Sequence, residues 1–252
     1  MAEVETPEPG TEISLEARLP RFRVVPGVTD ELRDEAFRIR HTVFCEELTI
    51  FEPRPERRET DEFDARAVQL LLKHVPTDEF IGCVRVVKGD PRDPHALLPF
   101  ESVCRHLVDK SLLDLDNLPR HLIGEVSRLG VIGKFRRRKG EDKSPVPLGS
   151  DDDSDAATTP DRRQFPHILV ALYLGAYVIA QRQGIEFLCP FTELRLLNHL
   201  VKLGLPIKVI GASIQHKGLR VPAVLNVSRI AAILNPSVQA IYGQVVRDIN
   251  LA

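Results

Sequence analysis

The segment Leu122-Ile123-Gly124-Glu125-Val126-Ser127-Arg128-Leu129-Gly130-Val131-Ile132 sets the strictest condition on any fold for this chain. It is apolar enough for a strand in the middle of a sheet, yet it holds a carboxylate and a guanidinium near its centre. Charged side chains are almost never fully buried without a partner. A core strand of this composition needs counter-charges, or a chemical task, for Glu125 and Arg128. Their spacing adds a second condition. Strand side chains alternate between faces, so positions three apart point to opposite sides. One extra residue in a bulge brings both to the same side, and bulges gather next to active sites. The segment therefore predicts a break in the ladder between Glu125 and Leu129. A plain structural Glu–Arg pair at a strand end is the competing reading.

Other charges stand at similarly costly positions. Arg21 to Val25 alternates as a first strand, and Thr29-Asp30-Glu31 caps a helix with acids in its first turn. Leu32, Ala36, Phe37, Arg40, Val43 and Phe44 share one broad face of that helix, which places Arg40 among apolar neighbours. An acidic run with Glu59, Asp61 and Asp64 leads into an expected hairpin, 67–75 and 80–87. Arg85 lies in its second strand between Val84 and Val86, where a guanidinium is costly unless paired with a carboxylate. The acidic run is the obvious supplier.

The remainder reads as alternating elements. A helix is expected over Ser102–Leu113, then the Glu125–Arg128 strand, and a buried helix over 166–182. A strand follows at 185–190, then a helix capped by Thr192 and ended by Gly204. Two strands, Pro206–Ile214 and Leu219–Val227, flank a turn that holds His216. Two short helices, starting at Ser228 and at Asn235-Pro236, close the chain. A hairpin ahead of strand–helix–strand units implies an α/β fold: a central mixed twisted sheet with helices on both faces.

The first 20 residues read as a disordered lead. The stretch 136–164, charged with both signs and nearly free of large apolar residues, reads as a disordered loop inserted into a single domain over 21–252. A formal net charge of −2 gives no sign of nucleic-acid binding. The four cysteines form no CxxC pair and no Cys/His cluster with metal-ligand spacing, so no metal site is expected. The start of the chain lacks the basic and apolar regions of a signal peptide, and no apolar run spans a bilayer. The expected location is the cytoplasm.

Four motifs, Arg40-His-Thr-Val-Phe44, Glu59-x-Asp61-x-Phe63-Asp64, Gly82-Cys-Val-Arg85 and Glu125-Val-Ser-Arg128, stand in an order and spacing that resembles the LuxI-type acyl-homoserine-lactone synthases. Those belong to the GNAT-like acyltransferases. The resemblance covers roughly residues 35–135. The tail from Gly211 to Pro222 looks more like the PEP-CTERM/exosortase system-associated acyltransferases and the long-chain N-acyl amino acid synthases. LuxI-type enzymes carry a tryptophan shortly after the first motif. This chain has none, and Ile50 and Phe51 occupy that region.

The resemblance implies a GNAT-like fold and transfer of a fatty acyl group from a thioester to the amino group of an amino acid. It places Glu125 as the base that takes the amine proton, and a bulge that turns the Leu129 and Gly130 backbone N–H groups toward the oxyanion. Arg40, Phe44, Glu59, Asp61, Asp64, Arg85 and Arg128 would bind and orient a zwitterionic acceptor; the competing reading is that the charged residues mainly tie the first helix to the sheet, and Asp64 and Arg85 fit either role equally. No bound cofactor is implied; the co-substrate is a thioester of acyl carrier protein or of coenzyme A. The coenzyme-binding turn of ordinary GNAT enzymes is poorly matched at Arg137-Arg138-Lys139-Gly140-Glu141-Asp142, which favours the carrier protein. Arg136, Arg137, Arg138 and Lys139 would meet its acidic surface. The product would be a lipid able to associate with membranes. Two alternatives stand beside this reading: a LuxI-type lactone synthase using S-adenosylmethionine, and a non-catalytic module that binds acyl chains or carrier protein.

Overall fold

The computed structural model describes residues 21–136, 165–229, 234 and 236–251. The expected lead at 1–20, and the expected loop beyond Arg136, lie outside the described residues. β1 (Phe22–Pro26) opens the fold. The Thr29 Oγ1 accepts the Leu32 N–H, with Asp30 and Glu31 in the first turn, so α1 (Asp30–Arg40) starts where its cap predicts. The helix continues as a π-helix over His41–Glu47, burying His41, Val43, Phe44 and Cys45. π-Helical segments are rare and recur at functional sites.

The hairpin forms as β2 (Ala67–His74) and β3 (Glu79–Lys88). α2 (Pro99–Cys104) is short, and a 3₁₀ turn at Arg105–Leu107 follows it. This departs from the helix expected over Ser102–Leu113. Pro99 takes the first helical position and the Glu101 carboxylate accepts the Leu98 N–H, which fixes an earlier start. After Leu107 the chain extends, and Val108 bridges to Gly211. β4 (Ile123–Val131), α3 (Gly133–Arg136) and the long α4 (Phe165–Arg182) come next.

β5 (Phe187–Thr192) runs further than expected, because Phe191 and Thr192 pair with Pro222 and Val221. Thr192 therefore ends a strand rather than capping a helix, and α5 (Leu194–Lys202) starts after Glu193. The single strand expected over Pro206–Ile214 is two pieces, β6 (Ile207–Val209) and β7 (Ile214–Gln215). Between them Gly211 packs so closely on the Leu107 carbonyl that a side chain there would meet it at 2.5 Å. β8 (Leu219–Asn226), a 3₁₀ turn at Val227–Arg229 and α6 (Pro236–Asn250) follow; most of the short helix expected from Ser228 lies outside the described residues.

The sheet has eight strands in the order β1-β2-β3-β4-β5-β8-β6, with β7 also paired to β8. Among the described pairs only β4–β5 is parallel. Alternation decides which helix covers which face. Leu70, Leu72, Val84, Val86 and Val126 pack with α4 and α6, whereas Leu71 and Cys83 pack with Ala36, Ile39, Val43 and Phe44 of the first helix. α4 is buried from Ile168 to Ala180, as expected for a helix apolar all round. Among the described residues no helix is long and apolar enough to cross a membrane. The architecture is the expected α/β one, a central mixed sheet with helices on both faces.

Candidate active site

The predicted break in the ladder is present. Arg85 pairs with Ser127 and Cys83 with Gly130, so β4 sets two residues, Arg128 and Leu129, against the single Val84. Arg128 has φ +52°, a conformation uncommon for a residue with a side chain. The bulge resets the alternation. Ser127 takes a hydrogen bond from the Arg85 guanidinium at 3.2 Å, and Arg128 reaches the acids beside that same guanidinium. Glu125, Ser127 and Arg128 therefore share the face covered by the first helix. Gly130 lies beneath that helix too, where an added Cβ would stand 3.1 Å from Val43.

Six of the expected charged residues close into a ring. Arg40 binds Glu59 at 2.6 Å and Asp64 at 2.7 Å. Asp64 accepts from Arg85 at 2.8 Å, and Arg85 binds Asp61 at 2.5 Å. Asp61 accepts from Arg128 at 2.9 Å, and Arg128 returns to Glu59 with two bonds of 3.0 Å. Gln69 adds a bond to Asp64, and the Asp61 and Asp64 carboxylates also cap the 3₁₀ turn at Glu62–Arg66. Three cations meet three anions, so the ring is electrically closed. Burial works to raise the Glu59 and Asp64 pKa values, but the arginines overcome it and hold both at about 2.

Next to the ring the sheet opens. β4 and β5 are paired from Ile123↔Phe187 to Val126↔Pro190. Beyond that point β4 follows β3 across its bulge, while β5 follows β8. A cavity of about 160 Å³ occupies the opening. Phe44, Phe51, Val126, Leu129, Tyr173 and Leu196 give it apolar walls; Arg128, His216, Lys217 and Arg220 give it a basic side. Glu125 is the carboxylate on its lining and is 3% exposed. Its carboxylate accepts the Phe100 N–H of α2 at 2.6 Å. Burial pushes its pKa up to about 8, against the opposing pull of the Phe100 N–H, Arg85 and Arg128. This proton-exchanging group is thus poised near neutral pH, in the range where general bases act.

The expected residues separate into two groups. Glu125, Leu129, Arg128 and Phe44 line the cavity; Arg40, Glu59, Asp61, Asp64 and Arg85 do not, and their hydrogen bonds go mainly to one another. Arg40 and Arg85 are fully buried. Those five stand behind Arg128, where they join the first helix to the sheet, as in the structural reading that the sequence also allowed. Gly130 is likewise off the lining, packed against Val43 and Phe44. Arg136 is a plain correction. It is 0% exposed and binds Glu47, whose carboxylate also takes the Gly133 N–H. It cannot form a docking patch, and Arg137, Arg138 and Lys139 lie outside the described residues.

Phe51, Lys217 and Arg220 were not singled out by the sequence as site residues. Phe51 sits where LuxI-type enzymes have their tryptophan, on a loop whose Ile50 and Phe51 N–H groups both donate to the Phe44 carbonyl. Its ring meets Phe44 edge-on at 6.2 Å, and both Arg128 and Lys217 stand against it. His216, expected as a turn residue, is in the β7–β8 turn and also lines the cavity beside the Phe191 ring.

Residues 39–143 match the family described as the acetyltransferase (GNAT) domain. No curated protein sequence matches the chain. Among solved structures the chain is similar to TofI in a ternary complex with an inhibitor and MTA, at 17% identity and TM-score 0.58, over 86% of this chain and 99% of that one. It is similar to BjaI, a CoA-dependent acyl-homoserine lactone synthase, at 18% identity and TM-score 0.55, over 92% and 100%. It is also similar to FeeM, an N-acyl amino acid synthase from uncultured soil microbes, at 15% identity and TM-score 0.52, over 86% and 96%. At these identities the likeness is one of fold.

Proposed function

We propose that the chain is an N-acyltransferase that moves a fatty acyl group from a thioester to the amino group of an amino acid. One observation carries this reading: a buried carboxylate with pKa near 8 lines a half-apolar cavity where two parallel strands part at a bulge. An amine is mostly protonated at neutral pH and must lose a proton to attack a carbonyl. Glu125 takes that proton, directly or through a water. The free amine adds to the thioester carbonyl, and the oxyanion is met by a backbone N–H at the bulge, for which Leu129 is the candidate on the lining. Collapse of the adduct forms the amide as the second amine proton passes to the departing sulfur, which leaves as the thiol. The apolar walls receive the acyl chain. The ionic ring holds Arg128 and the bulge in place rather than touching substrate.

The carrier of the thioester is left to experiment, since burial of Arg136 removes one leg of the argument for acyl carrier protein. Paired assays with acyl carrier protein and coenzyme A thioesters decide it. The fold shared with lactone synthases, and an aromatic ring in the tryptophan's place, favour a second reading in which S-adenosylmethionine is the acceptor. Against it, the basic side of the cavity disfavours an acceptor that brings a sulfonium cation. Three of those basic residues, His216, Lys217 and Arg220, come from the β7–β8 segment.

The test is incubation of the purified protein with an acyl thioester and the proteinogenic amino acids, with N-acyl products read by mass spectrometry. An N-acyl amino acid is expected, and Glu125→Gln should lower its rate by about 10²- to 10⁴-fold. A lactone and MTA formed from S-adenosylmethionine would replace this reading with the second. Binding of acyl chains with no transfer to any amine would leave only the non-catalytic module.

A further inference from the structure

We propose that Lys217, presented by the β7–β8 turn, is the residue that selects an acceptor amine bearing a carboxylate. The inference rests on the acyltransferase reading and names the substrate feature that the cavity recognises. Charge balance is the starting point. Arg128 has its charge answered by Glu59 and Asp61. Arg220 lies 3.8 Å from Glu193. Lys217 has no carboxylate within ion-pair distance among the described residues; its ammonium stands 3.5 Å from the centroid of the Phe51 ring. Arg128 leans on the same ring at 4.6 Å. An exposed lysine on the cavity lining, held against an aromatic ring beside a second cation, can meet an anion that enters the cavity.

The turn is built to hold that lysine. Lys217 has φ +50° and is followed by Gly218 at +102°. A lysine in the left-handed region costs conformational energy that the neighbouring glycine does not. The Arg220 guanidinium donates to the Lys217 carbonyl at 3.0 Å, and the His216 N–H donates to the Gly218 carbonyl at 2.9 Å. These bonds hold the backbone of the turn, and Lys217 lines the same cavity as Glu125. Burial, then Arg128, lowers the Lys217 pKa, as expected for a cation lacking its anion. A zwitterionic amino acid fits both ends: its amine toward Glu125 and its carboxylate toward Lys217. The phosphate of the thioester donor is the other anion within reach of such a lysine, and the test separates the two.

The experiment compares wild-type protein, Lys217→Met and Lys217→Arg on amino acids and their primary amides, which keep the amine and lose the negative charge. The wild type should prefer acid over amide by about tenfold or more in kcat/KM. Lys217→Met should bring that preference close to unity by raising the KM for the acid, while Lys217→Arg should retain most of it. A rise in the KM for the donor alone, or an equal loss on acid and amide, would overturn the assignment. Equilibrium titration of the same acid and amide pairs reads the carboxylate site without turnover. A wild type that acylates no amine would overturn the acyltransferase reading, and the titration would still decide Lys217.

Discussion

Glu59 and Glu125 are buried to the same degree, 2% and 3% exposed, and their neighbours drive them in opposite directions. Glu59 sits in the ring between Arg40 and Arg128 and is held at about 2. Glu125 sits on the cavity wall with one backbone N–H and, among the described residues, no ion pair, and burial pushes it up to about 8. The difference separates structure from chemistry. A carboxylate whose charge is answered by guanidinium groups is locked in one protonation state and serves as a fastener. A carboxylate buried without an ion pair can exchange its proton near neutral pH and serves as a base.

The sharpest way to break this comparison is to open the ring. Arg85→Met removes one cation and leaves Asp61 and Asp64 short of a partner. The expected loss is about 3–5 kcal/mol of unfolding free energy, read from the shift of the denaturant midpoint. A loss below about 1 kcal/mol would show that the ring is not the fastener described here.

Acid should expose the same contrast. Glu59 has a folded pKa of about 2 against an ordinary value of 4.5, so its contribution is present above 4.5 and is lost as pH falls through 2. Roughly 3 kcal/mol should disappear across that window, measured by denaturant unfolding in buffers of decreasing pH. Glu125 should act with the opposite sign. Its pKa is raised, so the stability it favours is present below 4.5 and is lost as pH rises through about 8. Glu125→Gln has no such titration. Its stability relative to the wild type should grow from pH 5 to pH 9, and a constant difference would contradict the raised pKa.

A smaller effect is expected at the junction of the two regions. Phe51 carries Arg128 from the ring side and Lys217 from the cavity side. Phe51→Leu removes the ring that both cations face, at a cost of about 0.5–2 kcal/mol in stability. Phe51→Trp should keep the contact, since indole is the best face for a cation. Equal losses for both variants in thermal unfolding would show that ring volume, not cation contact, is what matters.

Much of the site was legible because burying charge is expensive and leaves a trace. Glu125 and Arg128 in an apolar strand predicted the bulge, and the excess of charge at Arg40, Arg85 and the acidic run predicted mutual pairing. What those pairs left over was not legible. Sequence spacing shows that opposite charges can meet, but not that they meet so completely that only Arg128 still faces the cavity. Arg136 begins a basic run that reads as a solvated patch, yet it turns inward to Glu47. Lys217 reads as an ordinary turn residue and Arg220 as a strand residue, because their place on the cavity depends on β8 crossing back to β5. The helix expected at Ser102–Leu113 differs for a local reason: Pro99 and the Glu101 carboxylate set an earlier start, and the α-helix ends at Cys104.

If Glu125 is the base for acyl transfer, the pH dependence of kcat/KM separates the wild type from Glu125→Gln. The wild-type rate should climb with an apparent pKa near 8. The variant should fall by two orders of magnitude or more and lose that ionisation, retaining only the titration of the acceptor amine. A Glu125→Gln protein that keeps both the wild-type rate and the wild-type profile would contradict the account.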